Sequence, residues 1–133
     1  MVVTLGKDGT PYLAVDDKLV VERGGAHTDL GPITLQQGIQ PSDDGALISI
    51  IADNTLEMRD NHGRVLWRRP VWNALHVTFS RDDRFAVLST RGGLIELDAR
   101  TGERVAVSCG YDFALRNEAP RSMPNNVAPA CED

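Results

Sequence analysis

Ser80-Arg81-Asp82-Asp83-Arg84-Phe85-Ala86-Val87-Leu88-Ser89 is the second writing of a phrase first met 38 residues earlier, as Ser42-Asp43-Asp44-Gly45 and the apolar run Ala46–Ala52. The two phrases continue in step. Leu56 answers to Leu94 and Asp60 to Asp98; then Gly63 answers to Gly102 and Leu66 to Val105, with one residue inserted in a turn. A repeated unit of this length fixes architecture first, because each copy hides its apolar face against the next. A looser third copy lies upstream at an offset of 36. There Lys7-Asp8-Gly9 matches Asp43-Asp44-Gly45, Tyr12–Val15 stands for the apolar run, and Asp17, Val20 and Arg23 stand for Asp53, Leu56 and Arg59.

Within a copy the pattern is short strands cut by turns. Gly45–Ala52 is almost unbroken apolar sequence, which predicts a strand buried on both faces. Asp53-Asn54 predicts a tight turn. Thr55–Arg59 alternates, as a strand wet on one face does. Asp60–Gly63 is a second turn, and Arg64–Arg68 another strand. In the next copy Leu75–Phe79 alternates, Ser80–Arg84 turns, Phe85–Ser89 is expected to be buried and Arg91-Gly92-Gly93 turns. Leu94–Asp98, a turn at Ala99–Gly102 and Glu103–Val107 complete it. Four strands per unit of about 40 residues predict an all-β chain of antiparallel four-stranded blades: a partial or oligomer-completed β-propeller. A β-sandwich is the alternative. The expected units are 1–36, 37–74 and 75–110, followed by a tail, 111–133, in which Pro120, Pro124 and Pro129 break regular structure.

The phrase Ser80–Ser89, with Gly93-Leu-Ile-Glu-Leu-Asp-Ala-Arg-Thr-Gly-Glu-Arg-Val105 after it, resembles a blade of WD40-like or quinoprotein-like propellers. Gly63-Arg-Val-Leu-Trp67 is similar to the closing segment of a quinoprotein-like blade. The chain departs from WD40 repeats in that neither copy ends in Trp-Asp and no Gly-His pair opens a unit, so no binding-face residue is carried over. The resemblance implies two to three blades, fewer than the four to eight that close a ring. It therefore implies completion by a second copy of the chain or by a protein partner.

Composition narrows the function. The net charge of −5 argues against nucleic acid, which needs clustered cations. No run of about 18 apolar residues is present, so no membrane insertion is expected. Met1–Leu5 meets Lys7 without a long apolar stretch, which gives a cytoplasmic expectation. The two cysteines, Cys109 and Cys131, show no metal-binding spacing and are expected to be free thiols.

No catalytic residue, cofactor or metal site is expected. Ser42 and Ser80 precede acids in turns, so their hydroxyls read as turn caps. Asp43-Asp44 and Asp82-Asp83 lack the regular oxygen spacing of a calcium loop. His62 sits in a turn and His76 on an alternating strand, and neither has a nucleophile at hand. Among the aromatics, Trp67 reads as packing between blades, while Trp72 lies in the connection between units where a propeller presents its rim. The expectation is a non-catalytic protein–protein interaction module, with Arg59, Arg64, Arg68, Arg69 and Trp72 as partner contacts. The alternatives are a carbohydrate-binding lectin, or a fragment of a quinoprotein-like or lactonase-like enzyme.

Overall fold

Tight turns at left-handed residues cut the chain into short antiparallel strands. The computed structural model describes residues 2–33, 38–71, 74–90 and 93–109, with side chains as far as 106, and among them there is no helix. The first sheet comprises β1 (Val2–Leu5), β2 (Pro11–Val15), β3 (Lys18–Arg23) and β4 (Ala26–Pro32). The middle sheet comprises β5 (Gly38–Pro41), β6 (Leu47–Ala52), β7 (Thr55–Asp60) and β8 (Val65–Pro70). The third comprises β9 (Ala74–Phe79), β10 (Phe85–Thr90), β11 (Gly93–Asp98) and β12 (Arg104–Cys109). Each is an antiparallel meander in chain order, and none borrows a strand from another. The opening strand of the middle sheet, β5, approaches both β1 and β9, so the sheets stand side by side with their opening edges on one side.

The middle sheet explains the unbroken apolar run. Leu47 and Ile51 point into a core shared with the third sheet, where Leu56, Met58, Val77, Ala86, Leu88, Ile95 and Leu97 are buried. Ile48 and Ile50 point the other way, into a core shared with the first sheet, against Tyr12, Leu19, Val21 and Leu30. A strand covered on both faces needs apolar residues at both parities. Ser49, the one polar residue in its centre, is buried and donates its hydroxyl to the Gln40 carbonyl at 3.1 Å.

Two expectations change. The first copy is in step with the second only through its opening turn. Gly6 N–H bonds to the Thr10 carbonyl, whereas Ser42 N–H reaches one residue further, to Leu47. Beyond that point the offset is 37, and Asp16-Asp17 match Asp53-Asn54, with φ of 50° and 62° against 52° and 59°. Leu19 and Val21, rather than Val20, are the equivalents of Leu56 and Met58, and Glu22, rather than Arg23, is that of Arg59. One residue matters because it exchanges the two faces of a strand. The second change concerns Phe85–Ser89. Ala86 is buried and Leu88 fills the seam with the middle sheet, but Phe85, Val87 and Ser89 on the opposite face are only half-buried. Trp72, Tyr111, Cys131, the Arg91-Gly92 part of the expected turn and the proline-containing tail lie outside the described residues.

Candidate interaction surfaces

The turns joining the first two strands of each sheet share one construction. Asp8, Asp44 and Asp82 each accept, through Oδ1, the backbone N–H two residues on, from Thr10 (3.0 Å), Ala46 (2.9 Å) and Arg84 (3.1 Å). In the middle and third sheets a serine completes the turn. Ser42 Oγ donates to Asp44 at 2.7 Å and accepts from Leu47 N–H at 3.0 Å; Ser80 Oγ donates to Asp82 at 2.8 Å and accepts from Phe85 N–H at 3.0 Å. These hydroxyls are therefore committed within the turns, each donating to a carboxylate and accepting from a backbone N–H. The Asp44 carboxyl is held below its ordinary pKa by the Ala46 N–H first and the Ser42 hydroxyl second, and Asp82 by the Ser80 hydroxyl and then the Arg84 N–H. Asp60 and Asp98 build the later turns in the same way. Asp60 accepts from His62 and Arg64 N–H, and Asp98 from Arg100 and Thr101 N–H.

The later turns also lock the seams. Gly102, at φ 77°, lies so close under the Trp67 indole that an added Cβ would meet ring atoms at 2.6 Å. The indole N–H donates to the Ala99 carbonyl at 2.9 Å. Gly63, at φ 87°, is seated against the Leu30 backbone, where a Cβ would find Cα at 2.8 Å. In each seam a turn glycine thus packs on the outermost strand of the preceding sheet.

The arginines divide into two groups. Arg59 is 5% exposed and lies inside the seam between the first and middle sheets. Its Nη1 and Nη2 donate to the Leu30 and Pro32 carbonyls, each at 2.6 Å, and its Nε pairs with Glu57. Arg69 Nη1 donates to the Gly102 carbonyl at 2.9 Å across the other seam. Arg68 and Arg64 are exposed: Arg68 Nε donates to Glu57 Oε1 at 2.7 Å, and Arg64 lies 4.0 Å from Asp60. Burial raises the Glu57 carboxyl, but the hydrogen bonds from Arg68 and Arg59 more than reverse this, and its pKa lies below the ordinary value. Glu57, Arg59 and Arg68 wall a cleft of about 450 Å³ whose apolar side is Pro32, Ile33 and Ile50. A second cleft, of about 390 Å³, runs along β5 and β9 past Gln40 and His76.

The remaining surfaces are the sheet faces turned away from the middle. On the first sheet Val2 pairs with Leu13, and Leu5 with Pro11. The bulge between Val2 and Thr4 turns Val2 and Leu5 to the same side. These two are 55% and 57% exposed. On the third sheet the corresponding face carries Phe85, Val87, Ser89, Leu94 and Glu96. Among the described residues no group of three or more His, Cys, Asp and Glu could hold a metal ion, and no helix is long and apolar enough to cross a membrane. No protein family and no curated protein matches the chain.

Trp67 packs between sheets, as its place in the sequence predicts, whereas the seam role of Arg59 carries no mark in a single copy of the repeat. The signal that supports the role of Trp67 is the turn glycine shared by two copies, Gly63 and Gly102, the second of which lies 35 residues after Trp67.

Proposed function

We propose that the chain is a non-catalytic protein–protein interaction module. It supplies three blades of a β-propeller of the WD40-like or quinoprotein-like kind, and a second copy, or a partner with the same blade faces, completes the ring. One observation carries this reading. The outward faces of the first and third sheets bear the same strand positions that are packed inside the two seams. Leu13 stands where Ile50 and Leu88 stand, and Leu94 where Leu19 and Leu56 stand. A face that is core in two seams is an unfilled seam at either end of the stack. Two chains joined head to tail give six blades, within the range of closed rings, and closed symmetry is the usual state of homo-oligomers.

Arg64 and Arg68 remain rim contacts for a further protein, together with Trp72 in the β8–β9 connection, while Arg59 and Arg69 hold seams. Trp67 is occupied by Gly102 and Ala99, which disfavours its use as a sugar platform. The test is the double variant Val2→Lys with Leu5→Lys. Both side chains are more than half exposed, so the variant is expected to keep its β circular dichroism and to lose association, measured by light scattering. Unchanged association with intact folding would remove the first sheet's outer face from the interface.

A further inference from the structure

At their opening turns the two seams differ by one carboxylate. In the seam between the middle and third sheets, Asp83 is 8% exposed and held at φ 59°. It reaches back to the preceding turn, where Oδ1 accepts the Asp43 backbone N–H at 3.2 Å and Oδ2 that of Asp44 at 3.0 Å. Successive backbone N–H groups converging in this way form an anion-binding concavity. The seam between the first and middle sheets repeats the plan. Lys7 and Asp8 stand where Asp43 and Asp44 stand, but the equivalent of Asp83 is Gly45, also left-handed at φ 73°. Among the described residues no hydrogen bond joins the Lys7 or Asp8 backbone N–H to the middle sheet.

A cavity of about 160 Å³ lies in that place, between the two turns and against Tyr12 and Arg23. A Cβ on Gly45 would lie 3.4 Å from Arg23 Nη2 and 3.9 Å from the Tyr12 hydroxyl, with no backbone within 4 Å among its three nearest atoms. Lys7 Nζ, the second cation at the cavity, pairs with Asp43 Oδ2 at 3.3 Å. The acidic residues that line the space are already engaged: Asp8 by the Thr10 N–H and more weakly by its own N–H, which a ligand carboxylate would have to share, Asp44 by Ala46 and Ser42, and Asp43 by Lys7. In the neighbouring seam the Asp83 carboxylate is likewise held at the backbone N–H of an acidic residue, Asp44.

We propose that this cavity is a carboxylate-binding site, in which a ligand supplies to Lys7 and Asp8 the carboxylate that Asp83 supplies to Asp43 and Asp44. Its volume is well below the roughly 300–1,000 Å³ of sites for drug-sized ligands, so it admits an acid of few carbons or the end of an acidic side chain or peptide terminus. Arg23 provides charge and the two N–H groups provide direction.

The test is amide NMR of the full chain titrated with sodium acetate against sodium chloride at equal ionic strength. Saturable shifts at the Lys7 and Asp8 amides are expected. Gly45→Asp places a carboxylate at the site on a residue type that Asp83 shows to be tolerated there, and it should abolish the acetate response. Asp83→Ala should make the Asp43 and Asp44 amides newly responsive. Arg23→Gln should weaken acetate binding about tenfold, through loss of a charge-assisted contact. Comparing N-acetylglycine with N-acetyl-aspartyl amide distinguishes a terminal carboxylate from a side-chain one. Absence of a saturable response in the native chain, an unchanged response in Gly45→Asp, or stronger binding of inorganic phosphate than of acetate would each overturn the proposal. The native titration stands by itself if a variant does not fold.

Discussion

Gly63 and Gly24 both sit at positive φ, yet they differ in what a side chain would meet. At Gly24 nothing lies within 4 Å; at Gly63 the Leu30 backbone lies at 2.8 Å. Gly24→Ala is therefore expected to cost only the left-handed penalty, about 1 kcal/mol, and Gly63→Ala about 2–4 kcal/mol because backbone cannot step aside. Urea denaturation measures both, and equal costs would mean that the seam does not close on Gly63. Arg59 and Arg68 make a similar pair. Arg59→Met leaves two carbonyls and Glu57 short of a buried donor and should cost about 2–4 kcal/mol. Arg68→Met, at an exposed pair, should cost under about 1 kcal/mol. Position in the repeat made Gly63 and Gly102 visible in the sequence. Arg59 looked like one member of a basic cluster, because nothing in the letters distinguishes a guanidinium that reaches carbonyls of another sheet from one in water.

At the scale of elements, the turns carry the pH dependence. Asp44, Asp82 and Asp98 are held below their ordinary pKa by turn hydrogen bonds, and in Asp60 such bonds outweigh a burial effect of opposite sign. A depressed folded-state pKa contributes stability above the unfolded value, near 3.9 for Asp, and that stability is lost as pH falls through the folded value. The thermal midpoint should therefore be nearly flat between about pH 5 and 7 and fall progressively below about pH 4. A midpoint at pH 2.5 equal to that at pH 6 would show that these turns do not stabilise the fold. Strand and turn positions in the second and third copies were legible because Asp, Ser and Gly recur at fixed places around apolar runs. A single offset of 36 puts the first copy out of step by one residue beyond its opening turn, which is one residue shorter. The letters around Val20 are apolar at both parities, so only the pairing of Leu13 with Val20 and Ala14 with Leu19 decides which face is which.

At the scale of the molecule, the number of sheets could be read from the repeat, and so could the expectation that each sheet leans on its neighbour. What covers the outer faces could not, since the residues that mark a filled seam and an unfilled one are the same. The half-burial of Phe85, Val87 and Leu94, and the exposure of Val2 and Leu5, follow from the ends of a stack rather than from composition. The most direct measurement is the solution mass by multi-angle light scattering across a hundredfold range of concentration. A discrete species at twice the 14.5 kDa chain mass is expected. A folded, non-aggregating monomer at every concentration would contradict the claim that the end faces are seams awaiting a second copy.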